Sequence, residues 1–174
     1  VVIGGGPGTG KTTIAHALAE IIDAHVISTD EVRRELRQSG DITGGVGDLN
    51  AGLYAPDKVS AVYDEVLNRA QNWLSAGHSV VLDGTWRDAR QRQRAHTVAA
   101  ETHSPIVELV CTSPVGEAAN RIAGRGSTAS DATPAMAAEL SGWSDEWPGA
   151  HPVDTTRPLE ESVRVARQAC AAAI

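Results

Sequence analysis

Residues Gly5 to Thr12 read GGPGTGKT, directly after the apolar start Val1-Val2-Ile3. A glycine-rich run between a strand and a helix is a phosphate-binding loop, and each part of it has its own physical task. Glycines allow the tight turn that points successive backbone N–H groups at phosphate oxygens. The helix that follows adds its positive N-terminal end. Gly6, Gly8, Thr9, Gly10, Lys11, Thr12 and Thr13 are therefore the candidate nucleotide-binding residues. Lys11 is the cation for the β- and γ-phosphates, and the Thr12 hydroxyl is a candidate Mg²⁺ ligand.

Outward from this loop, the pattern alternates strand and helix along the 174 residues. That alternation predicts an α/β fold, a three-layer sandwich with a parallel sheet between helices. Expected strands are Val1–Ile3, His25–Ser28, Ser79–Leu82 ending at Asp83, Pro105–Cys111 and His151–Val153. Expected helices are Lys11–Ile22, Thr29–Gln38, one from Pro56 to about Leu74, Ala89–Ala100, Val115–Gly124, Pro134–Leu140 and Pro158–Ala173. Pro56 suits a first helical turn, and Gly77 a stop. Residues 39–55, rich in Gly, Asp and Asn, read as a mobile loop or small insertion, the substrate loop, and 121–133 as a lid.

The length fits one domain, 1–174, with 41% hydrophobic and 21% charged residues, as in a globular chain. With no Phe, the core rests on Val, Leu, Ile and Ala. A net charge of −7 argues against a nucleic-acid backbone as main partner. Two cysteines, Cys111 and Cys170, are too few for a disulfide framework and fit a reducing cytoplasm. No run approaches the roughly 18 apolar residues of a membrane span. The chain opens without Met, already in a strand, so it is expected to be part of a longer polypeptide.

Phosphoryl transfer needs charge neutralisation and an oriented nucleophile. Ligands of an open parallel sheet lie beyond the carboxyl ends of its strands. Asp30, in STDEVRR (Ser28–Arg34), sits there, with Arg33 one helical turn on. Asp30 is the candidate general base, Arg33 the holder of an anionic group; a helix N-cap is the other task Asp30's position suits. Asp83, in VVLDGTW (Val80–Trp86), is the candidate metal-side carboxylate, or else a cap for the following turn. Trp86 is a candidate for the substrate wall. Arg121 and Arg125, spaced i, i+4, are candidate lid cations for the transition-state charge. Arg87, Arg90, Arg92 and Arg94 form a basic run, mostly solvated, of which one is expected to meet an anionic substrate. Trp143 and Trp147 read as local packing. Thr155, in the VDTT ending at Thr156, is placed for a backbone contact with the base.

Together, GGPGTGKT, STDEVRR, VVLDGTW, NRIAGR (Asn120–Arg125) and VDTTRPLEE (Val153–Glu161) resemble small P-loop kinases of the gluconate kinase, zeta toxin and polynucleotide 5′-hydroxyl kinase type, domains also called AAA-family ATPases. The chain lacks the length and downstream motifs of ring-forming AAA machines. The resemblance implies a sheet of order 2-3-1-4-5, ATP and Mg²⁺ as cofactors, Asp30 as the base for an acceptor hydroxyl, Arg33 on the acceptor side, and Arg121 and Arg125 in the lid. It is nearest to kinase-like domains of actinobacterial proteins that follow an aminoglycoside phosphotransferase-like domain, which implies such an N-terminal domain in the same polypeptide. Residues 39–54 carry no recognisable sugar, acid or nucleotide signature, so the acceptor is a small or medium molecule of open identity. The reading from a different class is a nucleotide-binding regulatory module that controls an attached domain.

Overall fold

A computed structural model describes residues 1–45, 51–124 and 147–173. Five parallel strands form one sheet: β1 (Val2–Gly4), β2 (Ala24–Ser28), β3 (Ser79–Asp83), β4 (Glu108–Thr112) and β5 (His151–Asp154). Their spatial order is 2-3-1-4-5, as the motifs implied. The described helices are α1 (Lys11–Ile22), α2 (Thr29–Ser39), α3 (Pro56–Ser75), α4 (Ala89–Glu101), α5 (Val115–Ala123) and α6 (Leu159–Ala171), with a 3-10 turn at Gly52–Tyr54. The expected helix over Pro134–Leu140 lies outside the described residues.

Both faces of the sheet are covered, so its strands are apolar at consecutive positions rather than alternating. Val2, Ile27, Val80 and Leu82 face a core built with α2, α3 and α4, through Val32, Val62, Val66, Leu67 and Ala95. Ile3, Val81, Leu109 and Val153 face the opposite core, built with α1 and α6 through Ile14, Leu18, Val163 and Ala166. Cys111 and Cys170 are free thiols in this second core, and burial pushes Cys111 up to about 12. β4 begins at Glu108, later than the Pro105 start expected, because Pro105 has no N–H to give a ladder. No helix among the described residues is long and apolar enough to cross a membrane.

The stretch 39–55 departs from a merely mobile loop. Ser39 closes α2, and Ile42 and Leu53 are buried in the first core. These two apolar anchors pin the ends of the loop against α2 and α3, while residues 46–50 lie outside the described chain.

Candidate active site

Register brings the site together. Asp83 at the end of β3 pairs with Ile3 of β1 on one side and Ser28 of β2 on the other. The phosphate loop after β1 and the corner after β2 therefore open at the same carboxyl edge of the sheet, where ligands of such folds bind.

In the loop, Gly8 (φ 76°) and Gly10 (φ 81°) take left-handed conformations, and a Cβ on Gly8 would lie 2.4 Å from the Ala118 carbonyl oxygen. The Thr9 hydroxyl donates to the Gly6 carbonyl (2.8 Å), and Lys11 Nζ to the same oxygen (3.4 Å). Thr13 is exposed in the first turn of α1. Thr12 Oγ1 donates to Asp83 Oδ2 at 2.8 Å. The other carboxylate oxygen, Asp83 Oδ1, is buried with no hydrogen-bond partner among the described residues. Burial pushes the Asp83 carboxyl above the usual carboxylate range; Lys11 and the Thr12 hydroxyl pull it part-way back. An orphaned anionic oxygen beside a threonine hydroxyl and a lysine fits a hard cation with oxygen ligands.

On the β2 side, the N-cap of α2 is Ser28, whose side chain accepts from the Asp30 N–H at 3.3 Å. Asp30 is thus not the cap, and its carboxylate is free for another task. Asp30 Oδ1 accepts from Arg33 Nη1 at 2.7 Å, with the two side chains 27% and 8% exposed. The Arg33 guanidinium also sits 4.6 Å from the centroid of the Tyr54 ring, and its Nε is buried without a partner among the described residues. Tyr54, brought in by the anchored end of the 39–55 stretch, escaped the sequence reading; an aromatic between Leu53 and Pro56 was the available signal.

Trp86 requires a correction. It is fully buried, 4.9 Å from Tyr63 edge-on, with its indole N–H on the Leu82 carbonyl (3.2 Å), so it is core and not substrate wall. Its positive φ of 51° is held by a hydrogen bond from its own N–H to the Tyr63 hydroxyl (3.0 Å). Much of the basic run is structural as well. Arg90 pairs with Asp88, Arg94 with Asp64, and Arg92 Nη1 donates to the carbonyls of Trp86 and Arg87.

At the far side of the loop, Arg121 Nη2 donates to the Thr155 carbonyl (2.8 Å), and Nη1 reaches the Thr155 hydroxyl (3.1 Å) and the Gly8 carbonyl (3.4 Å). The Thr155 hydroxyl lies 2.7 Å from the Thr9 carbonyl and 3.1 Å from that of Thr112. Arg121 and Thr155 therefore buttress the phosphate loop directly. Arg125, and with it most of the expected lid, lies outside the described residues.

A family model described as an AAA domain matches residues 1–146. The chain belongs to this AAA domain family. Among curated relatives, an uncharacterized protein of Mycobacterium tuberculosis is 49% identical over 162 residues, covering 93% of this chain and 32% of that protein. The chain thus spans about a third of the length of the curated relatives it matches. Among solved structures, a gluconokinase from Sinorhizobium meliloti 1021 superposes with a TM-score of 0.68 at 19% identity, covering 98% of this chain and 93% of that one. The Mycobacterium tuberculosis APS kinase in complex with AMPPNP and APS gives 0.66 at 15% identity, covering 98% and 96%. This AAA-family chain has the kinase-like P-loop fold.

Proposed function

We propose that the chain is an ATP- and Mg²⁺-dependent phosphotransferase that moves the γ-phosphate to a hydroxyl of a small or medium acceptor. The observation that carries the proposal is the pairing of two unlike carboxylates at one sheet edge. Buried Asp83 is tied to the phosphate loop through Thr12, and part-exposed Asp30 stands one strand over, held by Arg33. A nucleotide switch needs the first; only group transfer to an acceptor needs the second.

In this reading the loop amides, Lys11 and the α1 N-terminus hold the phosphates. Thr12 and Asp83 would hold Mg²⁺, which when bound neutralises phosphate charge. Asp30 accepts the acceptor's hydroxyl proton as oxygen attacks phosphorus, and Arg33 fixes the rotamer of Asp30. Arg121 braces the nucleotide side of the loop, and Arg125 and the 121–133 stretch are assigned to a closing lid that excludes water as a competing acceptor. Thr155 lies at the base-side edge. Cytoplasmic location and a fused N-terminal domain belong to the same proposal.

The test is transfer from γ-labelled ATP with Mg²⁺ across sugars, sugar acids, aminoglycosides, nucleosides and 5′-hydroxyl oligonucleotides. A labelled product that disappears in Lys11→Ala, and falls ~10²–10⁴-fold in Asp30→Asn while ATP binding persists, is the expected result. Asp30→Asn transfer at the wild-type rate would remove Asp30 from the role of base. One observation favours a second reading, a regulatory module that binds or slowly hydrolyses ATP: the matched relatives are about three times as long as the region they share with this chain. Tight ATP binding with no labelled acceptor would favour it.

A further inference from the structure

Trp147 has no place in the chemistry above, yet it touches the strand that carries the phosphate loop. Gly4 closes β1 immediately before that loop. A Cβ built on Gly4 would lie 2.1 Å from Cζ3 and 2.9 Å from Cη2 of the Trp147 ring. The ring therefore fills the space where any other residue at position 4 would place its side chain. Gly4 is not excused by a left-handed backbone, since its φ is not among the positive ones. The indole is the nearest obstacle to a side chain here, ahead of the Thr85 carbonyl.

The contact falls on a junction between two working parts. The Gly84 N–H donates to the Ile3 carbonyl (3.2 Å), and the Gly5 N–H to the Thr85 carbonyl (3.4 Å). These two bonds latch the entry of the phosphate loop to the turn that follows Asp83. Gly4 lies between them, and its absent Cβ would also come within 3.1 Å of the Thr85 carbonyl. Trp147 is bound to the same turn from a second direction. The Arg92 guanidinium sits 5.0 Å from the centroid of its ring while Arg92 Nη1 donates to the carbonyls of Trp86 (2.9 Å) and Arg87 (3.0 Å). Among the described residues the buried indole N–H has no acceptor, and the ring is held against them by shape and by its π face.

We infer that Trp147 is a positioning residue: packed on Gly4 and beneath the Arg92 guanidinium, it fixes the distance between the phosphate loop and the Asp83–Asp88 turn. It acts through the Gly4 backbone and Arg92, and touches no reacting atom. The inference rests on the nucleotide reading of the loop, and it predicts a reciprocal size relation. Trp147→Ala should weaken Mg-ATP binding several-fold by loosening the latch. Gly4→Ala should weaken it too, because the new methyl and the ring cannot share one space. In the double variant the methyl enters the volume the indole vacated, so Gly4→Ala should have little further effect there. Coupling between contacting residues corresponds to roughly 3- to 100-fold in affinity.

The experiment is a four-variant cycle on the 174-residue chain (wild type, Gly4→Ala, Trp147→Ala and both), reading the Kd for Mg-ATP by titration and the melting midpoint in parallel. Trp147→Phe is a fifth chain: phenyl keeps a face for Arg92 but not the outer ring edge over Gly4, and should restore part of the affinity. Double-variant affinity well above the product of the two single effects supports the inference. Strictly multiplicative effects on Kd, or wild-type affinity in Trp147→Ala, overturn it. Affinity losses that merely track the midpoint, with no rescue by Phe, make Trp147 ordinary packing and overturn it as well. A wild-type chain that binds no nucleotide overturns the proposed function and this inference together.

Discussion

Asp83 concentrates the conflict between folding and chemistry in one residue. Its carboxylate is buried, one oxygen is unpartnered, and desolvation raises its pKa above the value of an unfolded chain, near 3.9. A group whose folded pKa is raised contributes stability below the unfolded pKa and loses it as pH climbs through the folded one. Above the acid range the ionised carboxylate therefore weighs against the fold, a cost that the proposed Mg²⁺ would relieve. Asp83→Asn should melt higher than wild type at pH 7 without Mg-ATP, by about 2–4 °C for each kcal/mol relieved. It should also flatten the pH dependence of the midpoint above pH 4 and lose most of the Mg-ATP stabilisation. Scanning both chains across pH with and without Mg-ATP checks this; a lower metal-free midpoint for Asp83→Asn at pH 7 would refute it. Sequence made Asp83 visible because an acid after three apolar residues of a strand, Val80 to Leu82, has few structural uses. It did not make the packing of Trp86 visible: that depends on Tyr63, 23 positions away, offering a hydroxyl to a strained backbone N–H.

The corner between β2 and α2 carries Asp30, the proposed base, and its geometry hangs on a cap. Ser28 Oγ accepts the Asp30 N–H, which sets the first turn of α2 and so the direction of the Asp30 side chain. Ser28→Ala should cost about 1 kcal/mol of stability, a midpoint drop of about 2–4 °C, and should lower transfer more than ATP binding. Equal losses in both would mean that the cap serves the fold alone. Most elements were legible at this scale. α1 matches its expected bounds because Gly10 and the Ile14, Leu18 spacing mark its start and its buried face. The 39–55 stretch was harder, since its composition is that of a loop while two residues, Ile42 and Leu53, decide its path. Likewise the arginines of α4 read as a basic face, but Asp88 pairs with Arg90 two positions on, and Asp64 pairs with Arg94 from 30 positions away, which sequence spacing does not connect.

Across the whole molecule, a loop held by Thr155, Arg121 and the Asp83 turn is largely built before ligand arrives, so binding should appear as added stability. At 100 times its Kd a ligand that binds only the folded state adds about 2.7 kcal/mol, or a midpoint rise of about 5–10 °C for a chain of this size. A differential scan with Mg-ATP, repeated with Lys11→Ala, measures it; the same rise in both chains would place the nucleotide elsewhere. The strand order has a further consequence. With β1 central, its β3–β2 side takes both strands from before residue 84, and its β4–β5 side takes both from after residue 107. The two sides are also joined across α1, which packs on β2 and β3 of one and on α6 of the other. Under the proposed function, Asp30 and Thr155 stand on opposite halves of the sheet, so substitutions that change the acceptor need not disturb the nucleotide side.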